Sequence, residues 1–301
     1  MSHETTSHET EHARRNAWQR FFDRGGWWKA VLVLAVYSGL YQLYGLLVGA
    51  IFGSAIDTGN LFANPQSVFL GLALPILLGG VTLLIFIGTV RWVRELFGPQ
   101  PLKGRGWMWI AVALLVIPIA LRVAATNWSS YAVSVILATL LAGVFIGFAE
   151  ELLTRGIAVN LLRRAGYGEK AVLVLSSLLF ALLHSVNAFT QAPVTVLVTL
   201  VYTFGYGAMM YLVLRVTGNI IWPMLLHAAT DPTTILATGG VDTTTASAGS
   251  AGLISVAGIF NYLYIVFAVL AIILVKGKVF GDRSPRGRKA GMSATTDSAA
   301  V

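Results

Sequence analysis

The sequence predicts an all-α, polytopic membrane protein, a bundle of about eight transmembrane helices. Three observations predict it. Of 301 residues, 56% are hydrophobic and only 11% charged, where a soluble domain carries about 25% charged residues; the mean hydropathy is +0.75. Several apolar runs reach the roughly 20 residues that a helix needs to cross a bilayer. None has the period-2 alternation of a barrel strand, and in lipid only helices and closed barrels satisfy their own backbone.

The elements follow in chain order. Residues 1–26 are polar, repeat Ser-His-Glu-Thr at 2–5 and 7–10, and read as a disordered cytoplasmic tail. The tail's His3, His8 and His12 are read as solvated rather than as metal ligands. The first apolar run is longer than a signal-peptide core and reads as an uncleaved anchor. Eight spans are expected, at 27–52, 68–90, 107–124, 131–162, 171–186, 194–214, 220–237 and 253–275. The fourth is too long for one perpendicular crossing and is expected to tilt or project from the bilayer. Residues 239–252 (GGVDTTTASAGSAG) read as a low-complexity outer loop. The expected organisation is a tail (1–26), N-terminal helices (27–131), a core (132–237), an outer loop and last helix (238–275) and a basic tail (276–301).

The net charge is +8. Its placement is a topology signal, not a nucleic-acid one. Arg14, Arg15, Arg20, Arg24 and Lys29 precede or open the first span. Arg91, Arg94, Lys103 and Arg105 fill the second loop, Arg163, Arg164 and Lys170 follow the fourth span, and Arg215 follows the sixth. The opposite loops have only Arg122 at their edge. By the positive-inside rule both termini are cytoplasmic. The expected location is an integral, multi-pass one, in the cell membrane if the host is bacterial. There is no cysteine, which excludes disulfides, thiolate nucleophiles and cysteine-based zinc sites.

Against this apolar background a few ionisable residues stand out. Glu150 and Glu151 interrupt the fourth run. Only two of five histidines lie beyond the N-terminal tail, His184 and His227, both in apolar segments. Ionisable residues inside spans are costly and mark functional sites by default. Glu150 lies ~20 Å along the helix from Arg163, well inside the membrane. Glu151 and Arg155 share a face at i, i+4, the spacing of an ion pair, while Glu150 points elsewhere. His184 follows Phe180 by four residues, and Asp231 follows His227 by four. Alone, either histidine is as readily an interhelical hydrogen-bonding residue as a functional one. Together these groups need buried partners, and each is the others' most plausible one. Gly143 and Gly147 form a Gly-x-x-x-Gly that lets a neighbouring helix close in on Glu150. Pro223 and Pro232 flank the His227 turn.

Glu150-Glu151-x-x-x-Arg155, Phe180-x-x-x-His184 and His227-x-x-x-Asp231, in this order on hydrophobic segments, resemble the CPBP intramembrane proteases, the family of the CAAX prenyl endopeptidases (Abi proteins) and bacteriocin self-immunity proteins. The resemblance covers roughly residues 132–237. It implies that Glu150 and His184 activate a water, that His227 and Asp231 stabilise the tetrahedral oxyanion, and that Glu151, Arg155 and Phe180 support the site. It also implies a glutamate-dependent reaction with no metal. The last position is often Asn in the prenyl-protein enzymes. An ionised Asp231 repels an oxyanion, so it is either protonated or orients His227 as the donor; the second is favoured here. The expected substrate is a membrane-associated protein or peptide, a lipidated CAAX-type chain included. The expected partners are the bilayer and that substrate, with no nucleic acid. Two alternatives remain. Zinc held by Glu150, His184 and His227 would make a metalloprotease, although no His-Glu-x-x-His is present. A non-catalytic immunity or scaffold protein could use the same network for stability.

Overall fold

The computed structural model describes residues 15–189, 191–239 and 250–280. The repeated tail motif with its three histidines, most of the low-complexity loop, and the basic tail beyond residue 280 lie outside the described residues.

Among the described residues every regular element is a helix. The chain runs α1 (Ala17–Asp23), α2 (Trp27–Phe52), α3 (Pro65–Thr89), α4 (Val93–Phe97), α5 (Trp109–Ala125), α6 (Val133–Arg164), α7 (Glu169–Leu183), α8 (Pro193–Thr217), α9 (Ile221–Thr238) and α10 (Ala251–Leu274). Seven of these, all but α1, α4 and α9, belong to segments long and apolar enough to cross a membrane. Outward-facing Leu46, Ile85, Val133 and Ile273 are each more than 60% exposed, an apolar exterior that suits lipid and not water. The protein is an all-α, polytopic membrane bundle.

α9 coincides with the expected seventh span, but Thr, His, Asp and Pro dilute its hydropathy. It nevertheless runs the length of the bundle. Asn219, just before it, donates to the Phe97 carbonyl at 3.2 Å. At its far end the Leu236 carbonyl accepts from the Tyr131 hydroxyl at 3.0 Å. Broken hydrophobic periodicity is the cost of carrying polar side chains in a packed helix.

The basic segments converge on one end. Arg164 pairs with Asp23 and Glu95, and the Glu169 amide donates to the Gly277 carbonyl at 2.9 Å. Gln100 reaches the Gly218 carbonyl at 2.8 Å. The chain before α2, the α3–α5 connection, the α6–α7 and α8–α9 turns and the segment after α10 therefore meet at the same end. Buried Glu169 is the clasp there. It accepts from Arg163 at 2.8 and 2.7 Å and from Arg215 at 2.9 Å, and Tyr211 adds its hydroxyl.

One expectation is corrected. The tail does not extend to residue 26: Asn16 caps α1 with a capping box to Gln19, and Phe22 packs edge-on against Phe86 and Trp92. A short aromatic helix with a cap was hidden by its arginines. Arg122 stands in the last turn of α5, at the loop edge as expected, and is buried there at 7% exposed. The long fourth span gains its length by packing, because Val159–Arg163 are all buried against the elements at the basic end. Gly25 at φ 65° makes the turn into α2; a Cβ there would meet the Leu161 carbonyl oxygen and the Ala165 amide nitrogen, each at 2.4 Å.

Candidate active site

α6 carries the acidic residues because its core-facing side is lined by small residues. Added Cβ atoms at Gly143 and Gly147 would lie 2.7 Å from the Ala228 carbonyl oxygen and 2.5 Å from the Met224 carbonyl oxygen. α9 thus lies backbone-to-backbone on α6, as close packing at small residues allows. This approach delivers His227 and Asp231 to the two glutamates. From Leu152 to Ala158, α6 widens into a π-helical stretch, a device frequent at functional sites.

The two glutamates divide. Glu151 and Arg155 are fully buried and pair at 3.2 Å. Arg155 also donates to the Gly207 carbonyl at 2.7 Å and to the Thr154 hydroxyl. Glu150 is 22% exposed and faces a cavity of about 240 Å³ whose lining includes Tyr37, Tyr41, His184 and Asp231. Its Oε2 is without a hydrogen-bond partner.

His227 is the junction. Its Nδ1 lies 2.9 Å from Glu151 Oε1, and its Nε2 lies 3.4 Å from Asp231 and 3.9 Å from Glu150. The closest carboxylate is therefore Glu151, not the i+4 partner Asp231 on which the sequence reading centred. The reason is geometric: an i, i+4 pair shares one helix face, whereas the α6 side chain arrives end-on across the interface. The Glu151 contact fixes the ring, as a carboxylate–imidazole pair does, and leaves Nε2 beside Asp231 and Glu150, which line the cavity.

His184 sits at the end of α7, where the helix tightens into a 3₁₀ turn (His184–Phe189). Its Nδ1 lies 3.1 Å from the Phe180 carbonyl oxygen. It lines the same cavity as Glu150 without a direct hydrogen bond to it. Phe180 ties the group together. Its ring lies 5.2 Å from His184 and 5.7 Å from His227, and the Arg155 guanidinium stacks over it at 4.4 Å, a cation–π contact strengthened by burial.

All seven residues singled out from sequence therefore gather in one region. Three contributors were missed. Tyr37 and Tyr41 of α2 wall the cavity; hydroxyls at i, i+4 in an otherwise apolar span were the available signal. Tyr206 of α8 presents its ring edge-on to His227 at 5.3 Å, and its neighbour Gly207 leaves room for Arg155, whose Nη2 lies 3.1 Å from where a Cβ would stand. Among the described residues, no three or more His, Asp or Glu are arranged to hold a metal ion.

No curated protein and no solved structure matches the chain. Residues 132–233 match a family model, the Rce1-like type II CAAX prenyl endopeptidases. That span runs from the start of α6 to the His227–Asp231 turn of α9, the segment that supplies the buried acid–imidazole cluster. Over residues 132–233, this membrane protein is similar to the Rce1-like type II CAAX prenyl endopeptidases, a family of proteases.

Proposed function

We propose that the protein is an intramembrane endopeptidase that hydrolyses a peptide bond in a membrane-associated protein or peptide. The observation that carries this reading is Glu150 Oε2, unpartnered at the wall of a cavity and 3.9 Å from His227 Nε2. A gap of that size is too long for a direct hydrogen bond, and the attacking water is assigned to the cavity beside Glu150. Glu150 takes a proton from that water as its oxygen attacks the carbonyl carbon, with His184 across the cavity as its partner. A carboxylate desolvated among apolar helices is a stronger base than one in water. The carbonyl electron pair moves to oxygen. His227, carrying both ring protons, gives Nδ1–H to Glu151 and Nε2–H to the oxyanion. Collapse breaks the C–N bond, and the amine leaves with the proton held by Glu150.

Asp231 flanks Nε2 and orients it. The mechanism assigns no metal. His227 Nδ1 is committed to Glu151, which leaves Nε2 to serve the oxyanion. Stoichiometric zinc in the purified protein, lost with activity on chelation, would overturn that assignment. The basic end is assigned to the cytoplasm, with both termini there, because positive charge in short loops stays inside. Glu150→Gln is expected to abolish cleavage of a membrane peptide in proteoliposomes while the protein stays folded. Comparing membrane peptides from cells carrying wild type or Glu150→Gln identifies the substrate; wild-type rates in the variant would refute the assignment.

A further inference from the structure

A second cavity, about 300 Å³, opens at the basic end between α4 and the last turns of α6. It lies away from the Glu150 cavity and shares none of its lining residues. Its lining carries Arg94, Arg155 and Arg163 against one carboxylate, Glu95. Three of these charges are already answered: Arg155 by Glu151, Arg163 by Glu169, Glu95 by Arg164. Arg94 is the surplus, with no ion pair among the described residues. One buried donor on the lining also lacks an acceptor. Asn160 is 6% exposed, its Oδ1 accepts from Arg164 at 3.2 Å, and its Nδ2 has no partner.

Leaving a buried donor unmade costs about 1–3 kcal/mol. One of them beside a surplus guanidinium describes a place for an oxyanion. Nothing in the peptidase reading uses it. We propose that this pocket binds a phosphate group, with Asn160 Nδ2 donating and Arg94 closing over it. A basic pocket between helices at this end suits a phospholipid headgroup, and a free phosphate presents the same oxygens.

The test uses the full chain purified in nanodiscs, with binding as the readout, so it stands whatever the outcome for Glu150. One arm counts phosphatidylglycerol retained against phosphatidylcholine by native mass spectrometry. The other titrates inorganic phosphate at constant ionic strength and follows thermal unfolding. Asn160→Asp keeps the acceptor for Arg164 and replaces the donor with a repelling oxygen; Arg94→Gln removes an exposed charge without touching the packing. Retention of phosphatidylglycerol that falls at least tenfold in both variants supports the pocket with a lipid source. A phosphate-induced rise in unfolding temperature, lost in both variants, supports it with a soluble source. Equal lipid retention in wild type and variants, together with no phosphate effect, overturns the proposal.

Discussion

Gly147→Ala tests whether the close approach of α9 to α6 holds the site in register. The new methyl would lie 2.5 Å from the Met224 carbonyl oxygen and 2.6 Å from the Ala228 nitrogen. Both are backbone atoms, so no rotamer change relieves the clash. Ordinary contact begins near about 3.5 Å, and α9 must therefore retreat by roughly 1 Å. His227 immediately precedes Ala228 and moves with it. The 2.9 Å contact to Glu151 stretches out of hydrogen-bond range, and the 3.9 Å gap to Glu150 opens further. Overpacking costs about 1–3 kcal/mol, while alanine in place of glycine within a helix returns about 1. The fold should survive. A displacement of ~1 Å in a catalytic constellation costs about 10²-fold in rate. The expected result is a folded protein whose turnover in proteoliposomes falls about 100-fold. Gly39→Ala on α2, where an added Cβ meets nothing within 4 Å, is the control and should be silent. Turnover of Gly147→Ala within threefold of wild type would refute the reasoning.

Three further outcomes are expected. Glu151→Leu alone strands the buried Arg155 charge and should cost about 3–5 kcal/mol in chemical denaturation, whereas Glu151→Leu with Arg155→Met should recover most of that stability but no activity; a double variant as unstable as the single one counts against the pairing. Glu169→Gln removes the carboxylate that joins Arg163, Arg215 and Tyr211 and should destabilise by about 3–5 kcal/mol, yet leave activity per folded molecule unchanged, as read by normalising turnover to the folded fraction. Asp231→Asn puts a donor beside His227 Nε2 and should keep activity within about tenfold of wild type, whereas Asp231→Leu should lose 10²-fold or more; an active leucine variant beside an inactive asparagine one would remove Asp231 from the oxyanion site.

The order and extent of the long helices were legible in the sequence because an apolar span states its length and charge bias directly. All eight expected spans have a helix within three residues at either end. What was not legible was α1, whose aromatic face becomes apparent only against Phe86 and Trp92, and the depth of Arg122. The site residues were named because a charge in an apolar run is costly wherever it lies. Tyr37, Tyr41 and Tyr206 were not named, because tyrosine in a membrane helix carries no comparable penalty.

The sequence by itself determined that this is a helical membrane protein, and that two glutamates, two histidines, an arginine and an aspartate must find one another. Composition and periodicity suffice for that, since both follow from the solvation of single segments. Only the tertiary structure decided the partners. It put Glu151 rather than Asp231 on His227 Nδ1 and turned Glu150, not Glu151, into the cavity. Those outcomes depend on how far α9 slides into the Gly143–Gly147 groove of α6. That distance is set by backbone contact between helices remote in sequence, which no local pattern records.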